Sequence, residues 1–493
     1  MAHGPEEPLA APALSTRGLE ALSGISEFTK LSEHIFNDGY HPTTNPDGWL
    51  SLGLAENTLM HEEQAEYYNA HLTLTDVDFT YGTDLSGSVR LGKALAAFLN
   101  RPDGAFSPLQ PIKSEDIVFG AGVSALIDML AFHIADAGTG VLIAAPYYAG
   151  FNSDLNARCG VIPIPVFVDP EDRFGPASLD AFESTLHKAE AKGTKVRAVI
   201  LCNPHNPLGA CYPRETILAY ASFCQRHNLH LISDEVYAYS VFPTDDNRDP
   251  EPFLSVFSID FLKEARCDPA RVHVLYGMSK DFCSNGMRAA ALISQHNAPL
   301  LAAVKSTGLF MKVASPSAVA WASILEDEAY FAKFQKENVR RLQAAYHYTT
   351  LWLKFHDIPY IPSNAGHFLL VDFRKFFSNT DRSGNTLPTI AEDGGRGKDI
   401  ALFEQLLSNK VFLGSSSAFT FPVRGWFRIT FATRKDYLVV GLARIERALG
   451  VEKWPGLEDF DPHGEVVGVP ISISIADVVD SADLERAMAR TTL

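Results

Sequence analysis

Short apolar runs alternate with amphipathic helical stretches between residues 115 and 294 of this 493-residue chain. Each run has the length of a buried strand, and a turn of small or polar residues follows it. Strands that alternate with helices form a mostly parallel sheet that is covered by helices on both faces. The pattern therefore predicts an α/β fold with a doubly wound, mostly parallel sheet as its large domain.

The residues that could carry chemistry stand directly behind these runs. In chain order they are Val123, Ser124, Tyr148, Asn206, Asp234, Tyr237, Ser279, Lys280 and Arg288. In an α/β sheet, ligands bind in the crevice outside the carboxyl ends of the strands. We therefore expect these residues to gather at one edge of one sheet.

Lys280 lies in a loop between two apolar runs, Val272–Tyr276 and Ala289–Ile293. A lysine held between two strands is costly unless it has a charged or a covalent partner. A Schiff base with an aldehyde would be such a partner, and Ser279 with Arg288 could hold a phosphate beside it. A lysine and a phosphate clamp suggest pyridoxal 5'-phosphate, whereas an ordinary surface loop is the alternative for this stretch alone.

Other turns offer groups that suit the same cofactor. The small-residue turn Gly120–Ser124 leads into a helix, and the free amides of a helix N-terminus attract an anion. Tyr148 could stack on a flat ring, and a rigidly held Asn206 amide could donate to a ring oxygen. Asp234 would keep a pyridine nitrogen protonated, and Tyr237 could bind the ring hydroxyl.

Three further residues are candidates on weaker grounds. Arg428 alternates with apolar neighbours in a strand-like run and is expensive there unless it meets a carboxylate, so a structural ion pair is the alternative to a ligand site. Glu56 ends an apolar segment and could stand at the edge of a cleft. Tyr81 opens a glycine-rich loop and is a candidate phosphate or substrate contact, although a lone tyrosine is more often a packed aromatic side chain.

Composition excludes several classes of function. The formal net charge of -17 argues against nucleic acid or an anionic membrane as a partner. The six cysteines form no C-x-x-C pair and show no zinc spacing, so we expect no metal site. Reduced thiols and a start without a secretory signal lead us to expect a cytoplasmic location. No run of about 18 apolar residues could span a membrane.

The pattern also divides the chain into segments. We expect a flexible arm (1–24), an N-terminal segment of a small domain (25–75), the large cofactor-binding domain (76–315), the C-terminal part of the small domain (316–450) and a tail (451–493). Within the small domain, the spacing of apolar residues predicts a long helix over 328–355. Residues 378–398 indicate a mobile loop insertion.

Nine motifs together resemble a known superfamily. They are GLAEN (53–57), TYG (80–82), GAGVSAL (120–126), APYYAGF (145–151), NPHNPLG (203–209), SDEVY (233–237), the lysine block (278–288), SNAG (363–366) and GWFRITFA (425–432). In this order they resemble the fold type I, pyridoxal phosphate-dependent aminotransferases of class I/II. The 1-aminocyclopropane-1-carboxylate (ACC) synthase-like branch, in its fungal form, is the most similar. The motifs are specific for fold and cofactor, and much less for the reaction.

The resemblance implies a role for each matched position. Lys280 would bind the cofactor covalently and move the Cα proton of an amino-acid substrate, and Arg428 would bind the substrate α-carboxylate. Tyr81 would reach the cofactor of the neighbouring subunit in a homodimer with shared active sites. Glu56 occupies a glutamate position typical of the ACC synthase branch, and it and Asn206 would contact the substrate. The residues that would hold the cofactor ring and phosphate are Val123, Ser124, Tyr148, Asn206, Asp234, Tyr237, Ser279 and Arg288.

Several features depart from that branch. Gly277 replaces a hydroxyl residue, the loop after Tyr81 is longer than in plant ACC synthases, Met287 replaces a phenylalanine, and the loop 415–419 differs. These changes surround the substrate rather than the cofactor, and they put S-adenosylmethionine in doubt as the substrate. Fungal relatives that include carbon–sulfur lyases share the longer loop.

We therefore expect a carbon–sulfur lyase that acts on a sulfur-containing amino acid or a cysteine conjugate by Cα deprotonation and elimination. ACC synthase activity is one version of that reaction, and either Tyr81 or Glu56 could give a proton to the leaving sulfur. The first alternative is an aminotransferase that works between an amino acid and a 2-oxo acid. The second is a protein that binds the cofactor without catalysis, which the presence of Lys280 and the acidic charge disfavour.

Overall fold

The computed structural model describes residues 13–23, 31, 34–82, 84, 87–247 and 249–459. The chain forms two compact units, residues 1–50 and 51–493. The first contains helix α1 (Thr16–Ser23), which falls in the segment expected to be an arm, and strand β1 (Leu50–Ser51) lies at the boundary. The expectations for the start of the arm, for part of the loop after Tyr81 and for the tail beyond Asp459 fall outside the described residues.

A seven-stranded sheet forms the centre of the second unit. Its strands, in spatial order, are β2 (Ile117–Gly120), β8 (Ala290–Ile293), β7 (Val272–Gly277), β6 (His230–Asp234), β5 (Val196–Cys202), β3 (Gly140–Ala145) and β4 (Ile162–Phe167). Strand β8 is antiparallel to both of its neighbours, and the other neighbouring pairs are parallel. The prediction of a mostly parallel α/β sheet is therefore confirmed.

Alternate residues of the central strands contribute to two hydrophobic cores, one on each face of the sheet. In β3, Leu142 and Ala144 join one core, whereas Val141 and Ile143 join the other. A sheet that is buried on both faces needs helices on both. The helices of this part of the chain are α2 (His61–His71), α3 (Val89–Leu99), α4 (Val123–Ile134), α5 (Gly150–Asn156), α6 (Ser178–Ala191), α7 (Arg214–Arg226), α8 (Phe261–Glu264), α9 (Ala298–Thr307) and α10 (Ser315–Glu326).

A smaller antiparallel sheet carries Arg428. Its order is β12 (Gly414–Ser415), β13 (Trp426–Thr430), β10 (Phe368–Asp372) and β9 (Tyr360–Ile361). The register pairs Arg428 with Leu370 on one side and with Gly414 on the other, so the arginine lies in the middle of three strands. The other elements here are α11 (Glu328–Phe355), which has the ends predicted from sequence, α12 (Ile390–Asp393), α13 (Arg396–Ser408), β11 (Val411–Phe412) and α14 (Lys435–Leu449).

The insertion at 378–398 is more ordered than a loop. It contains α12, whose start is capped by reciprocal hydrogen bonds between Thr389 and Glu392. Lys398 is buried, and its Nζ donates to Asn379 Oδ1 at 2.6 Å. The prediction of a loop insertion omitted this short helix, because the Thr and Glu residues that make the segment polar also cap it.

No single helix among the described residues is long and apolar enough to cross a membrane. The helix pair Ala298–Met311 and Ser315–Glu326 has the length and composition of a membrane span only when the two are taken together. The pair bends by 120° at the break between them. The six cysteines are free thiols.

Candidate active site

Lys280 follows the carboxyl end of β7, near the middle of the large sheet. Its Nζ donates to the carbonyl of Ala55 at 2.6 Å. The pKa of the Lys280 amine is lowered to about 8, by burial first and then by the charge of Arg428, while Glu56 and Asp234 act in the opposite direction. An amine with this pKa can accept a proton near neutral pH.

The strand that leads to Lys280 ends in a glycine for a packing reason. A Cβ on Gly277 would lie 2.9 Å from the Cβ of Ala290 and 3.0 Å from the carbonyl oxygen of Ala289. The close pairing of β7 with β8 therefore leaves no room for the hydroxyl side chain that is usual in the family at this position.

Asp234 is the last residue of β6 and is 5% exposed. Its Oδ1 accepts one long hydrogen bond, 3.4 Å from the Val236 amide, and no described lysine or arginine forms an ion pair with it. Burial raises the pKa of Asp234 to about 7, against the effects of the Val236 amide and of Lys280. Asp234 is therefore a buried carboxyl that lacks the cation it would need in order to ionise fully.

The adjacent carboxylate, Glu235, has a different task. It accepts hydrogen bonds from the hydroxyls of Ser233 and Ser255, at 2.9 and 2.7 Å, and from the amide of Val256 at 3.0 Å. Its oxygens are thus occupied by structural donors, whereas those of Asp234 remain open to a ligand.

Tyr237 and Asn206 present two groups that suit a ring oxygen. The Tyr237 hydroxyl is buried and has no hydrogen-bond partner among the described residues. The Asn206 side chain is buried, and its oxygen accepts from Arg428 Nη1 at 2.9 Å. That bond leaves the Asn206 amide nitrogen as a donor. Lys280 Nζ lies 6.0 Å from the centre of the Tyr237 ring.

The turn before α4 and Arg288 form an anion cradle. Gly122 has φ +97°, a backbone conformation that favours glycine, and a Cβ there would lie 2.2 Å from Arg288 Nη2. Arg288 also donates to the carbonyls of Asn285 at 2.9 Å and Ala121 at 3.4 Å. Helix α4 has no side-chain cap, so its first amides, on Val123 and Ser124, are free for a phosphate. Ser279, half-buried, comes directly before Lys280.

Two side chains complete this end of the site. Tyr148 is half-buried and packs edge-on against Phe151 at 5.4 Å. Asp154 has a buried carboxylate oxygen, Oδ2, without a hydrogen-bond partner among the described residues, and burial raises its pKa to about 6. Sequence reasoning missed Asp154, because an aspartate inside a short helix carries no signal of its own.

Arg428 is 3% exposed and meets no carboxylate among the described residues. Its guanidinium lies between the rings of Phe368 and Phe419, at 4.7 and 4.4 Å. Nη1 donates to Asn206 and Nη2 to the carbonyl of Gly53, while Nε has no partner. The structural ion pair considered from sequence is therefore absent from this part of the chain. Burial lowers the pKa of Arg428 to about 10, so the group stays charged at pH 7 and can receive an anion.

Glu56 and Tyr81 differ in how they relate to Lys280. Glu56 is exposed, next to Ala55, and its charge acts on the Lys280 amine. Tyr81 is 75% exposed, and its hydroxyl forms no hydrogen bond with the described residues. The structure brings Glu56 to the site and leaves Tyr81 on the surface of the same chain.

The donor set fits pyridoxal 5'-phosphate. The cradle suits its phosphate, the orphan hydroxyl of Tyr237 its ring oxygen, the open carboxyl of Asp234 its pyridine nitrogen, and the Lys280 amine its aldehyde. The group would be held by Val123, Ser124, Tyr148, Asn206, Asp234, Tyr237, Ser279, Lys280 and Arg288.

Comparison with known proteins agrees with this geometry. Residues 51–445 match the family model "Aminotransferase class I and II". The chain is 32% identical to an ACC synthase-like protein 1 of Takifugu rubripes, over 90% of this chain and 69% of the relative. It is 31% identical to the probable aminotransferase gliI of Aspergillus fumigatus, over 83% of this chain and 91% of the relative. An aspartate aminotransferase double mutant of Thermus thermophilus has a similar fold, with a TM-score of 0.62 and 18% identity. The match covers 89% of this chain and 100% of the solved chain.

Protonation of Asp234 should be visible in the stability of the cofactor-free protein. The pKa of this carboxyl is about 7 in the folded chain against 3.8 when it is exposed, so the folded state holds the extra proton between these values. The contribution of Asp234 to stability therefore falls as the pH rises from about 4 to 7, by about 1.4 kcal/mol per pH unit. The free energy of unfolding of Asp234→Asn, measured with urea, should therefore fall less steeply with pH than that of the wild type.

Asp245→Asn is the control, because Asp245 is exposed. It should keep the wild-type dependence on pH. A slope in Asp234→Asn equal to that of the wild type would show that Asp234 is ionised in the folded protein at acidic pH.

Proposed function

Because the chain belongs to the class I and II aminotransferase family, whose enzymes depend on pyridoxal 5'-phosphate, we propose that it is an ACC synthase-like carbon–sulfur lyase. The proposed substrate is a sulfur-containing amino acid or a cysteine conjugate. When bound, the cofactor supplies an electron sink for negative charge at Cα. The residues of the chain must then orient the substrate, hold the ring charge and move protons.

The buried groups divide these tasks. Arg428 binds the α-carboxylate of the substrate through its guanidinium and so orients the Cα–H bond. Lys280, with its lowered pKa, accepts the Cα proton. Asp234 pairs with the protonated ring nitrogen, which also supplies the cation that this buried carboxyl lacks.

Glu56 is the observation that supports a lyase. A sulfur leaves an amino acid more readily when it receives a proton, and Lys280 is already engaged at Cα. Glu56 lies close enough to Lys280 for its charge to act on the amine, and its side chain is exposed. The chain thus has a second acid–base group for a second position on the substrate. An aminotransferase moves its proton with the lysine alone.

The alternative is an aminotransferase, which the similarity to the Aspergillus fumigatus relative favours. The two reactions differ in what they need. An aminotransferase must be regenerated by a 2-oxo acid, whereas a lyase regenerates itself in each turnover.

Turnover without a 2-oxo acid should separate the two reactions. Holoenzyme is incubated with S-methyl-L-cysteine, S-adenosylmethionine or glutathione-derived cysteine conjugates, and released sulfur products are followed by mass spectrometry. We expect many turnovers on at least one of them. For the cysteine thioethers, Glu56→Gln should slow release by about 100-fold because the leaving thiolate is no longer protonated, whereas the neutral thioether that leaves S-adenosylmethionine needs no proton. Glu62→Gln, which alters an exposed glutamate of α2, is the control and should keep the wild-type rate.

No release of sulfur, together with formation of the substrate's 2-oxo acid that stops after one turnover per site and resumes only when another 2-oxo acid is added, would contradict the lyase and establish an aminotransferase.

We also propose that the enzyme is a homodimer in which Tyr81 serves the partner's site. Large aromatic side chains are exposed on the two segments that Lys312 connects: Phe79 at 77%, Tyr81 at 75% and Phe310 at 81%. The Nζ of Lys312 donates to the carbonyl of Tyr81 and so joins the two loops. An exposed apolar patch of this kind suits a second copy of the chain.

Subunit complementation tests that arrangement. Tyr81→Ala and Lys280→Ala each inactivate the enzyme if both residues serve catalysis. Mixed after reversible dissociation, the two variants should form hybrids with one intact site and regain up to about a quarter of wild-type activity. Activity that stays at the level of the separate variants, or an active monomer in light scattering, would contradict shared sites.

A further inference from the structure

His367 stands at one end of a buried hydrogen-bond chain that runs through Ser240 to Asp281. Its Nε2 is 3.2 Å from the hydroxyl of Ser240, which donates to Asp281 Oδ1 at 2.7 Å. Because the hydroxyl proton points to Asp281, Ser240 must accept the Nε2 proton of His367. His367 therefore carries its proton on Nε2, and its Nδ1 is unprotonated and without a partner in the described chain.

One end of this chain is fixed beside Lys280. Asp281 is the residue after Lys280, and its second oxygen accepts from the Tyr239 amide at 3.0 Å and from the Tyr276 hydroxyl at 3.2 Å. Both carboxyl oxygens are thus anchored, so a displacement of Ser240 would be transmitted to the loop that carries the lysine.

The other end is fixed beside Arg428. His367 precedes Phe368, whose ring lies 4.7 Å from the Arg428 guanidinium. The His367 carbonyl also accepts from the amide of Phe431, just beyond the end of β13. The chain therefore connects the neighbour of Lys280 on the large sheet to the wall and the strand of Arg428 on the small sheet.

The imidazole is uncharged in these surroundings. Burial lowers the pKa of His367 well below its usual value, and the charges of Lys280 and Arg428 lower it further. The His367 ring stands perpendicular to that of Tyr237, with centres 5.2 Å apart. A neutral ring can thus stand between two cations and still donate one directed hydrogen bond.

We propose that His367 is a positioning residue that sets, through Ser240 and Asp281, the separation between the Lys280 amine and the Arg428 guanidinium. An amino acid held at Arg428 by its carboxylate presents its Cα–H bond to Lys280 only at one separation, and a misplacement of about 1 Å can cost a hundredfold in rate. The proposal rests on Cα proton removal in the proposed function, and it applies to a lyase and to an aminotransferase alike.

Exchange of the substrate Cα–H with deuterium from D2O, followed by NMR, measures that step before the two reactions diverge. Holoenzyme is given S-methyl-L-cysteine or L-alanine. For His367→Leu we expect exchange at saturation to fall about 100-fold while KM changes less than threefold, because Arg428 still binds the carboxylate. His367→Gln, which can restore a donor to Ser240, should recover at least tenfold of the loss.

Ser240→Ala removes the middle of the chain without touching the histidine. It should match His367→Leu, and the double variant should be no slower than either single variant, because all three break one path. It also serves as the test if His367→Leu does not fold. Multiplied losses in the double variant would overturn the proposal.

His273→Leu is the matched control. His273 is also fully buried, and its Nδ1 lies 2.9 Å from the hydroxyl of a serine, Ser294. It stands near the start of β7, however, at the opposite end of that strand from Lys280. It should exchange within twofold of the wild type. An equal loss in His273→Leu, or full exchange in His367→Leu, would overturn the role of His367. A wild-type enzyme that exchanges no Cα proton would instead contradict the proposed function itself.

Discussion

Three ionisable side chains of the site are buried away from solvent and have no ion-pair partner among the described residues: Asp234, Lys280 and Arg428. Holding an ion in this way costs several kcal/mol. The raised pKa of Asp234 and the lowered pKa of Lys280 express the same cost. A phosphate-bearing pyridine aldehyde and an amino acid carry the complementary groups, so binding them would offset this cost.

The two sheets divide the work. The large sheet, packed between two hydrophobic cores, presents Asp234 and Lys280 from the ends of neighbouring strands, β6 and β7. The small sheet holds Arg428 between Phe368 and Phe419. Cofactor contacts thus come from the large sheet, and the carboxylate contact from the small one. The relative placement of the two decides whether the Cα proton is within reach of the lysine.

The sequence could predict the parts of the site that follow a strand. Asp234, Lys280 and the turn before α4 were identifiable because strand ends and helix starts leave a local signal. The partners of Arg428 were not, since the Gly53 carbonyl lies 375 residues away and becomes an acceptor only through folding. His367 gave no signal either, because one histidine in an apolar run resembles any core residue. Whether Tyr81 meets a cofactor depends on how a second copy of the chain docks, and no local sequence pattern encodes that arrangement.

The most direct test of the central claim is to locate the lysine that binds the cofactor. Cofactor-free protein is loaded with pyridoxal 5'-phosphate, reduced with sodium borohydride and digested, and the labelled peptide is identified by mass spectrometry. Of the amines in the chain, Lys280 should be the one modified, because its lowered pKa makes it the best nucleophile and the anion cradle holds the phosphate beside it. A label on another lysine, or binding without any reducible bond, would contradict the site described here.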